Sequence, residues 1–433
     1  MFSNSINEEY VKSLFIKLEV QNMSSRYFFY FKGENSRFFR INESKLRQVT
    51  FVEQSILYIR KKSEPEKKYN IQLSGNLKND EKRVRRILNN EYGQDVDKYS
   101  IKNEGDEVTI ESMVTKDDTD WLREVGLRRG LVGIFSSGTL KRGAIRGGSQ
   151  KLLWYETDRS DVDYSLYEGD LSIKEFFSID KMVSRKVGES IDGNLKKLKT
   201  LKKKKVELSP GKYRAYFCSS AVNEIISMFN WKGLQGKAFA EKRSVFMDLH
   251  TNRSFNKNFN LRENFNLNLS PSFNEDAQES SMIVNLIEKG KLISPLVNSV
   301  SEQKYGLKSN AANSSETLRS AEIVQGNREE SDLVRSLKPG VYVSNLHYLN
   351  WSNPKNASIT GMTRFGCYFI DEKGEMSPIH DMRFNMSLYD LFGDWLESFS
   401  NESKIFCDSN SYEERSVRGA KVPGMLSSIN FTL

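Results

Sequence analysis

Apolar residues in this sequence arrive in short runs of strand length, which restricts the chain to folds in which sheets and helices are layered around their cores. The aromatic-rich runs Arg26-Tyr-Phe-Phe-Tyr-Phe-Lys32 and Ser36-Arg-Phe-Phe-Arg-Ile-Asn42 read as strands parted by a turn at Gly33-Glu-Asn35. Gln48-Val-Thr-Phe-Val52 and Ile56-Leu-Tyr-Ile-Arg60 continue them as a meander. Residues 6–20 carry the spacing of an amphipathic helix, and a charged helix over about 79–91 precedes a polar linker ending near Val114. The first domain, residues 1–115, is therefore an α+β layer.

A central domain over 116–207 opens with a helix from Lys116 to Val125, started by Thr115 as N-cap with Asp118 three residues on. The strand Gly130–Ser136 follows, and then Gly138, Gly143, Gly147 and Gly148 predict tight hairpin turns before the strand Lys151–Glu156. Ile179, Met182, Val183, Val187, Ile191, Leu195, Leu198 and Leu201 have near-helical spacing and lead into seven lysines between Lys196 and Lys205. Without interleaved aromatics these lysines read as a solvated helix end that complements the dipole, with nucleic-acid binding as the alternative.

The β-rich C-terminal domain, 208–433, begins with a turn and strand through Phe217. A helix over Ser220–Met228, N-capped by Ser219 or Ser220, comes next. The Asn-rich stretch 251–276 reads as extended or loop, open to a partner-contacting role, and Ser280–Lys289 as a helix. Strands are expected at 341–343, 364–370 and 428–433, with helical spacing from Ser387 to Phe399. The fold class is α+β.

Residue chemistry excludes more than it assigns. Three Cys at long spacings exclude a disulfide framework or zinc ribbon, and His250, His347 and His380 form no metal-binding pair along the chain. No run approaches the ~20 apolar residues of a membrane span, and the N-terminus lacks the pattern of a secretory signal, so a cytoplasmic protein with no membrane role is expected. The glycines spell no dinucleotide or phosphate loop. A thiol hydrolase is conceivable only if Cys407, in the polar stretch Phe406–Ser411, meets His347 or His380 in space; Cys218 and Cys367 have apolar neighbours typical of core thiols.

Several segments together are similar to the TldD/PmbA family, the modulators of DNA gyrase. Gly130-Leu-Val-Gly-Ile-Phe-Ser-Ser-Gly138, Arg142-Gly-Ala144 and Trp154-Tyr-Glu156 resemble its central strands. Leu208-Ser-Pro-Gly-Lys-Tyr213 resembles the entry to its C-terminal domain, and Leu286-Ile-Glu-Lys-Gly-Lys-Leu292 and Ser309-Asn-Ala-Ala-Asn313 resemble later segments. Ile359-Thr-Gly-Met-Thr-Arg-Phe-Gly366 with Gly374-Glu375 and Pro378-Ile379 resembles a further signature, and Ser36–Asn42 a strand of the first domain.

The resemblance implies a TldD/TldE-type protease system in which one member holds zinc through H-E-x-x-x-H and a C-terminal Cys. On the matching helix this chain has Asn223 and Met228 at the two histidine positions, keeping only Glu224, with Cys407 near the position of the ligand Cys. Glu224 is then a polar position on an amphipathic helix or a vestigial general base, and Cys407 a vestigial ligand. The resemblance thus implies a TldE/PmbA-like member without its own zinc or a confident catalytic residue, zinc being expected only in a TldD-like partner. It further implies pairing with that partner or with a second copy, and peptide substrates. Ser309, Asn310, Asn313, Thr360, Gly361 and Gly366 are candidates for lining a peptide chamber. Alternatives are an autonomous peptidase with a divergent site and a topoisomerase-associated nucleic-acid binder.

Overall fold

The computed structural model describes residues 6–61, 68–89, 116–126, 130–179, 184–407 and 415–432. The fold is α+β, with one six-stranded and one larger mixed sheet among the described residues. The aromatic run forms β1 (Tyr27–Asn42) as one continuous strand. The expected turn at Gly33–Asn35 lies mid-strand, where Gly33 is opposite Ser55 on one side and Lys141 on the other. A Cβ on Gly33 would stand 3.0 Å from the Phe31 ring and 3.2 Å from Lys141 Cβ, so this glycine relieves crowding inside a sheet.

The remaining strands of this sheet are β2 (Lys45–Lys61), β3 (Lys68–Gln72), β4 (Leu131–Arg146), β5 (Leu153–Glu168) and β6 (Leu171–Ile179). Their order is β3-β2-β1-β4-β5-β6, antiparallel throughout. Gly138 and Gly143, expected at turns, lie within β4; only Gly147 and Gly148 sit at its end. Strands from both sides of residue 116 share the sheet, so the expected N-terminal and central domains form one layer. The cause is β1, whose two edges are taken by β2 and β4.

Odd-numbered β1 residues point at helices. Phe29 and Phe31 pack with Val11, Leu14 and Phe15 of helix Glu8–Lys17 and with Val84 of helix Leu77–Leu88. Phe39 and Ile41 pack with Trp121 and Val125 of helix Lys116–Gly126 and with Val187, Ile191 and Leu198 of helix Ser184–Thr200. Thr115 and the linker ending near Val114 lie outside the described residues. Lys197 and Lys199 occupy the last turn of helix Ser184–Thr200, and Lys202 pairs with Glu168. The even-numbered face of β1 turns toward the C-terminal half.

That half is built from β7 (Gly211–Phe217), β8 (Leu261–Asn264), β9 (Ile283–Glu288), β10 (Lys291–Leu292), β11 (Ser320–Ile323), β12 (Gly340–Val343) and β13 (Asn345–Asn353). It continues with β14 (Ser358–Arg364), β15 (Tyr368–Ile370), β16 (Met376–Pro378), β17 (Arg383–Ser387), β18 (Ser398–Cys407) and β19 (Gly419–Phe431). β19 is the hub, pairing with β7, β11, β17 and β18. The helix expected over Ser280–Lys289 is instead the β9–β10 hairpin; Gly290 turns it at φ 75, with Leu286 and Ile287 buried. The helical spacing at 387–399 yields only Leu388–Leu391 before β18 begins. The strand expected at 364–370 is broken where Phe365 adopts φ 61. The Asn-rich stretch 251–276 threads through the core, burying Phe255, Phe259, Leu261 and Phe265. Among the described residues, no helix is long and apolar enough to cross a membrane.

Candidate functional site

The helix Ser219–Ser227 follows β7 directly, so its position is set by the centre of the larger sheet. Its N-cap is Cys218 in extended conformation without a side-chain cap bond, in place of the expected Ser219 or Ser220. Ala221, Val222, Ile225 and Ile226 are buried in the main core. Ser220, Asn223, Glu224 and Ser227, spaced i, i+3, i+4 and i+7, line a cavity of about 290 Å³. Opposite them stand Asp163, Lys174 and Phe176 from β5 and β6, with Asn345, Phe406, Cys407 and Arg418 closing the space.

Three of the residues singled out from the sequence, Asn223, Glu224 and Cys407, thus share one cavity. Met228 does not join them. It is 1% exposed in the core, at the start of the 3-10 turn Met228–Asn230. The α-helix ends at Ser227, so Met228 lies in the tighter turn beyond it with its side chain in the core, and Ser227 holds the cavity-facing position.

Glu224 accepts a hydrogen bond from the Leu346 backbone N–H. Burial pushes its carboxyl up to about 7, against the opposing pull of that N–H, Asn345 and Lys174. Lys174 is also paired with Asp163 at 3.1 Å. Cys407, expected in a polar loop, is the last residue of β18 and 6% exposed. Burial pushes its thiol up; Arg159, Ser178 and Arg415 oppose the shift, and Asp161 adds to it.

These donors do not fit a catalytic zinc. The cavity offers the amides of Asn223, Asn230 and Asn345, the hydroxyls of Ser220 and Ser227 and a protonated thiol; of its carboxylates, Glu224 is engaged by a backbone donor and Asp163 by Lys174, and no histidine lines it. No cluster of three His, Cys, Asp or Glu among the described residues is placed to hold a metal. His250 and His380 are exposed, and the His347 ring lies tilted against Tyr348 with centroids 3.8 Å apart, so no imidazole lines the cavity beside Cys407.

The loop Ser309–Asn313 uses its side chains on itself. Asn310 Oδ1 accepts from Val297 N–H at 2.9 Å and its Nδ2 donates to Pro295 O at 2.7 Å. Asn313 Oδ1 accepts from Thr317 N–H at 2.9 Å, and Ser309 Oγ donates to Val297 O at 3.2 Å. Asn313 and Ala312 nevertheless border two further cavities, of about 240 and 730 Å³ respectively. Thr360, Gly361 and Gly366 line none of the three. Thr360 Oγ1 donates to Phe384 O, Gly361 packs against Phe384, and Gly366 lies against Ile173 and Leu201. The structure therefore does not bring the two expected chamber segments together.

The three cavities form one seam between the sheets. Arg418 lines both the first and the 240 Å³ cavity, while Tyr30, Lys32, Asn274 and Glu275 line both the 240 and the 730 Å³ cavities. The seam is clamped by Arg415, which is wholly buried between β1, β4 and β5. Its Nη2 lies 2.9 Å from Asp161 Oδ2 and its backbone N–H reaches both Glu34 carboxylate oxygens at 3.1 Å. Asp163, Lys174, Glu34, Asp161 and Arg415 escaped the sequence reading because contacts between strands and across two sheets leave no local pattern, and Glu34 in addition fell in the segment read as a turn.

The overall fold matches solved structures of low sequence identity. TldE from Thermococcus kodakarensis superposes with a TM-score of 0.72 at 11% identity, covering 98% of this chain and 99% of that one. A protein described as a modulator of a DNA gyrase from Thermotoga maritima gives 0.70 at 13%, covering 98% and 100%. A similarly described protein from Bacteroides thetaiotaomicron gives 0.66 at 15%, covering 99% of each. No match is found among curated proteins. The family model for the PmbA/TldA metallopeptidase C-terminal domain matches residues 210–429, which span the site helix, β18 and nearly all of β19. With just over half of its length matched in this way, the chain belongs to the TldD/PmbA family.

Proposed function

We propose that the chain is the metal-free, TldE/PmbA-like subunit of a cytoplasmic TldD/TldE-type metallopeptidase assembly that acts on flexible peptides. The observation carrying this reading is the cavity-facing row Ser220, Asn223, Glu224 and Ser227 opposite Cys407, which keeps one carboxylate and one thiol of a metallopeptidase site without any imidazole. Zinc and the catalytic base would then come from a TldD-like partner bearing H-E-x-x-x-H. This chain's part is to bind peptide along the seam and complete the enclosure. Backbone pairing and short polar side chains hold an extended peptide with little demand on its sequence. The lysine-rich helix end is left to solvent and surface ion pairs, as with Lys202 and Glu168, and no nucleic-acid role is assigned to it.

Co-expression with a TldD-like relative bearing H-E-x-x-x-H tests the proposal. A stable hetero-oligomer whose zinc-dependent peptidase activity exceeds that of either chain alone is expected. Two chains that elute separately, with activity unchanged on mixing, would overturn it.

A further inference from the structure

The 240 Å³ cavity at the middle of the seam has a basic lining. Lys32, Arg142, Arg319 and Arg418 line it against a single carboxylate, Glu275, and that carboxylate accepts from Ser314 N–H at 3.3 Å. Arg319 is 6% exposed, and its guanidinium bonds go to backbone carbonyls: Nη1 to Phe273 O at 2.8 Å and to Pro271 O at 3.4 Å, Nη2 to Ala311 O at 3.0 Å. Its Nε–H is buried with no partner among the described residues. Its carboxylate neighbour, Glu263, spends both oxygens on the Arg319 and Ser320 N–H groups. Arg142 is also buried, with Nη1 donating to Gly33 O and Lys141 O. Arg319 therefore has one buried donor left over that Glu263, with both oxygens already engaged by backbone N–H groups, does not meet, and the pocket has a place for one more acceptor.

The adjoining 730 Å³ cavity shares four residues with the basic one and has a different lining. Gln235, Asn298, Ser301 and Ser315 offer amides and hydroxyls, and Phe28 and Tyr58 offer ring faces. Neutral hydrogen-bonding groups suit a peptide main chain, and a small basic end suits one terminal carboxylate.

We propose that the basic cavity is a carboxylate pocket that receives the free α-carboxylate of a peptide lying along the larger cavity. The pocket thereby sets the direction in which the peptide enters the seam. This rests on the peptide-binding reading above. Arg319 and Arg418 supply the charge, Lys32 sits at the junction of the two cavities, and Asn313 borders the pocket from the loop beside it.

Fluorescence anisotropy with the full chain and a short labelled Gly-Ser-Ala peptide, as free acid or as C-terminal amide, provides the test. The acid is expected to bind at least about tenfold more tightly, the worth of one charge-assisted contact. Arg418→Gln and Lys32→Gln, at partly exposed positions, should weaken the acid more than the amide and so erase that preference; Arg319→Gln should do the same where it folds. An amide ending in Asp that binds like the free acid keeps the pocket and assigns it to side-chain carboxylates. Equal binding of the Gly-Ser-Ala acid and amide overturns the pocket alone. Binding of neither overturns the peptide reading and the pocket with it.

Discussion

Arg415→Met removes the charge that clamps the two sheets while keeping most of the side-chain volume. The guanidinium is fully buried and makes one charge-assisted contact, Nη2 to Asp161 Oδ2 at 2.9 Å, plus bonds to Arg159 O at 2.9 Å and Gly138 O at 3.1 Å. At about 1.5–3 kcal/mol for the charged contact and about 1 kcal/mol for each neutral one, the gross loss is about 3.5–5 kcal/mol. Two features reduce it. Asp161 keeps Arg159 Nε at 3.3 Å and Ser178 Oγ at 2.7 Å, and the unpartnered Arg415 Nε no longer has to be desolvated. A net loss of about 3 kcal/mol follows, the lower end for breaking one side of a buried pair. Urea denaturation followed by intrinsic fluorescence should show it as a lower midpoint. The Arg415→Met, Asp161→Asn double variant should lose at least about 1 kcal/mol less than the sum of the single variants. Burial alone would raise the Asp161 carboxyl, but Arg159, Arg415 and Ser178 hold it below its ordinary value. The pair's contribution is therefore full above the unfolded carboxyl's pKa, about 3.9, and is lost as pH falls through the lower folded value, so the wild-type advantage should narrow in acid. A variant within about 0.5 kcal/mol of wild type at neutral pH, with no acid narrowing, would refute the clamp.

Three further outcomes are expected. Asn223→His with Ser227→His places two imidazoles on the cavity-facing side of the helix, beside Glu224 and Cys407, and should bind zinc in a chelator-competition assay; Asn223→His with Met228→His should not, because Met228 points into the core. Glu224→Gln should gain stability relative to wild type as pH rises from about 4.5 to about 7, and no more above that. The folded carboxyl titrates near 7 against 4.5 unperturbed, so ionising it opposes folding, and a midpoint difference independent of pH would contradict this. The thiols should react slowly with a disulfide reagent at neutral pH in the native state and quickly in urea, since burial pushes Cys218 up to about 11 and Cys367 to about 12 and also raises Cys407.

Patterns confined to one element could be read from the sequence. The helix at Ser219–Ser227, the strand opening at Leu131 and the lysines ending helix Ser184–Thr200 all follow from local periodicity. Glycine misled where neighbouring strands came into play. Gly33 and Gly138 look like turn residues, yet a Cβ at Gly138 would lie 2.0 Å from Asn35 O, so close approach of the next strand explains it. Ser280–Lys289 has apolar residues compatible with either period, and pairing with β8 decides for a strand. In the site, the helix face and Cys407 were accessible through the family resemblance. The walls from β5 and β6 and the Arg415 clamp were not, because they depend on how the two sheets face each other.

Zinc content and peptidase activity of the purified chain, measured together, test the central claim most directly. Mass spectrometry of the native protein should find far less than one zinc per chain, and flexible peptides should remain intact in its presence. One tightly held zinc per chain, with peptide cleavage that a chelator abolishes and zinc restores, would contradict the assignment of this chain as the metal-free member.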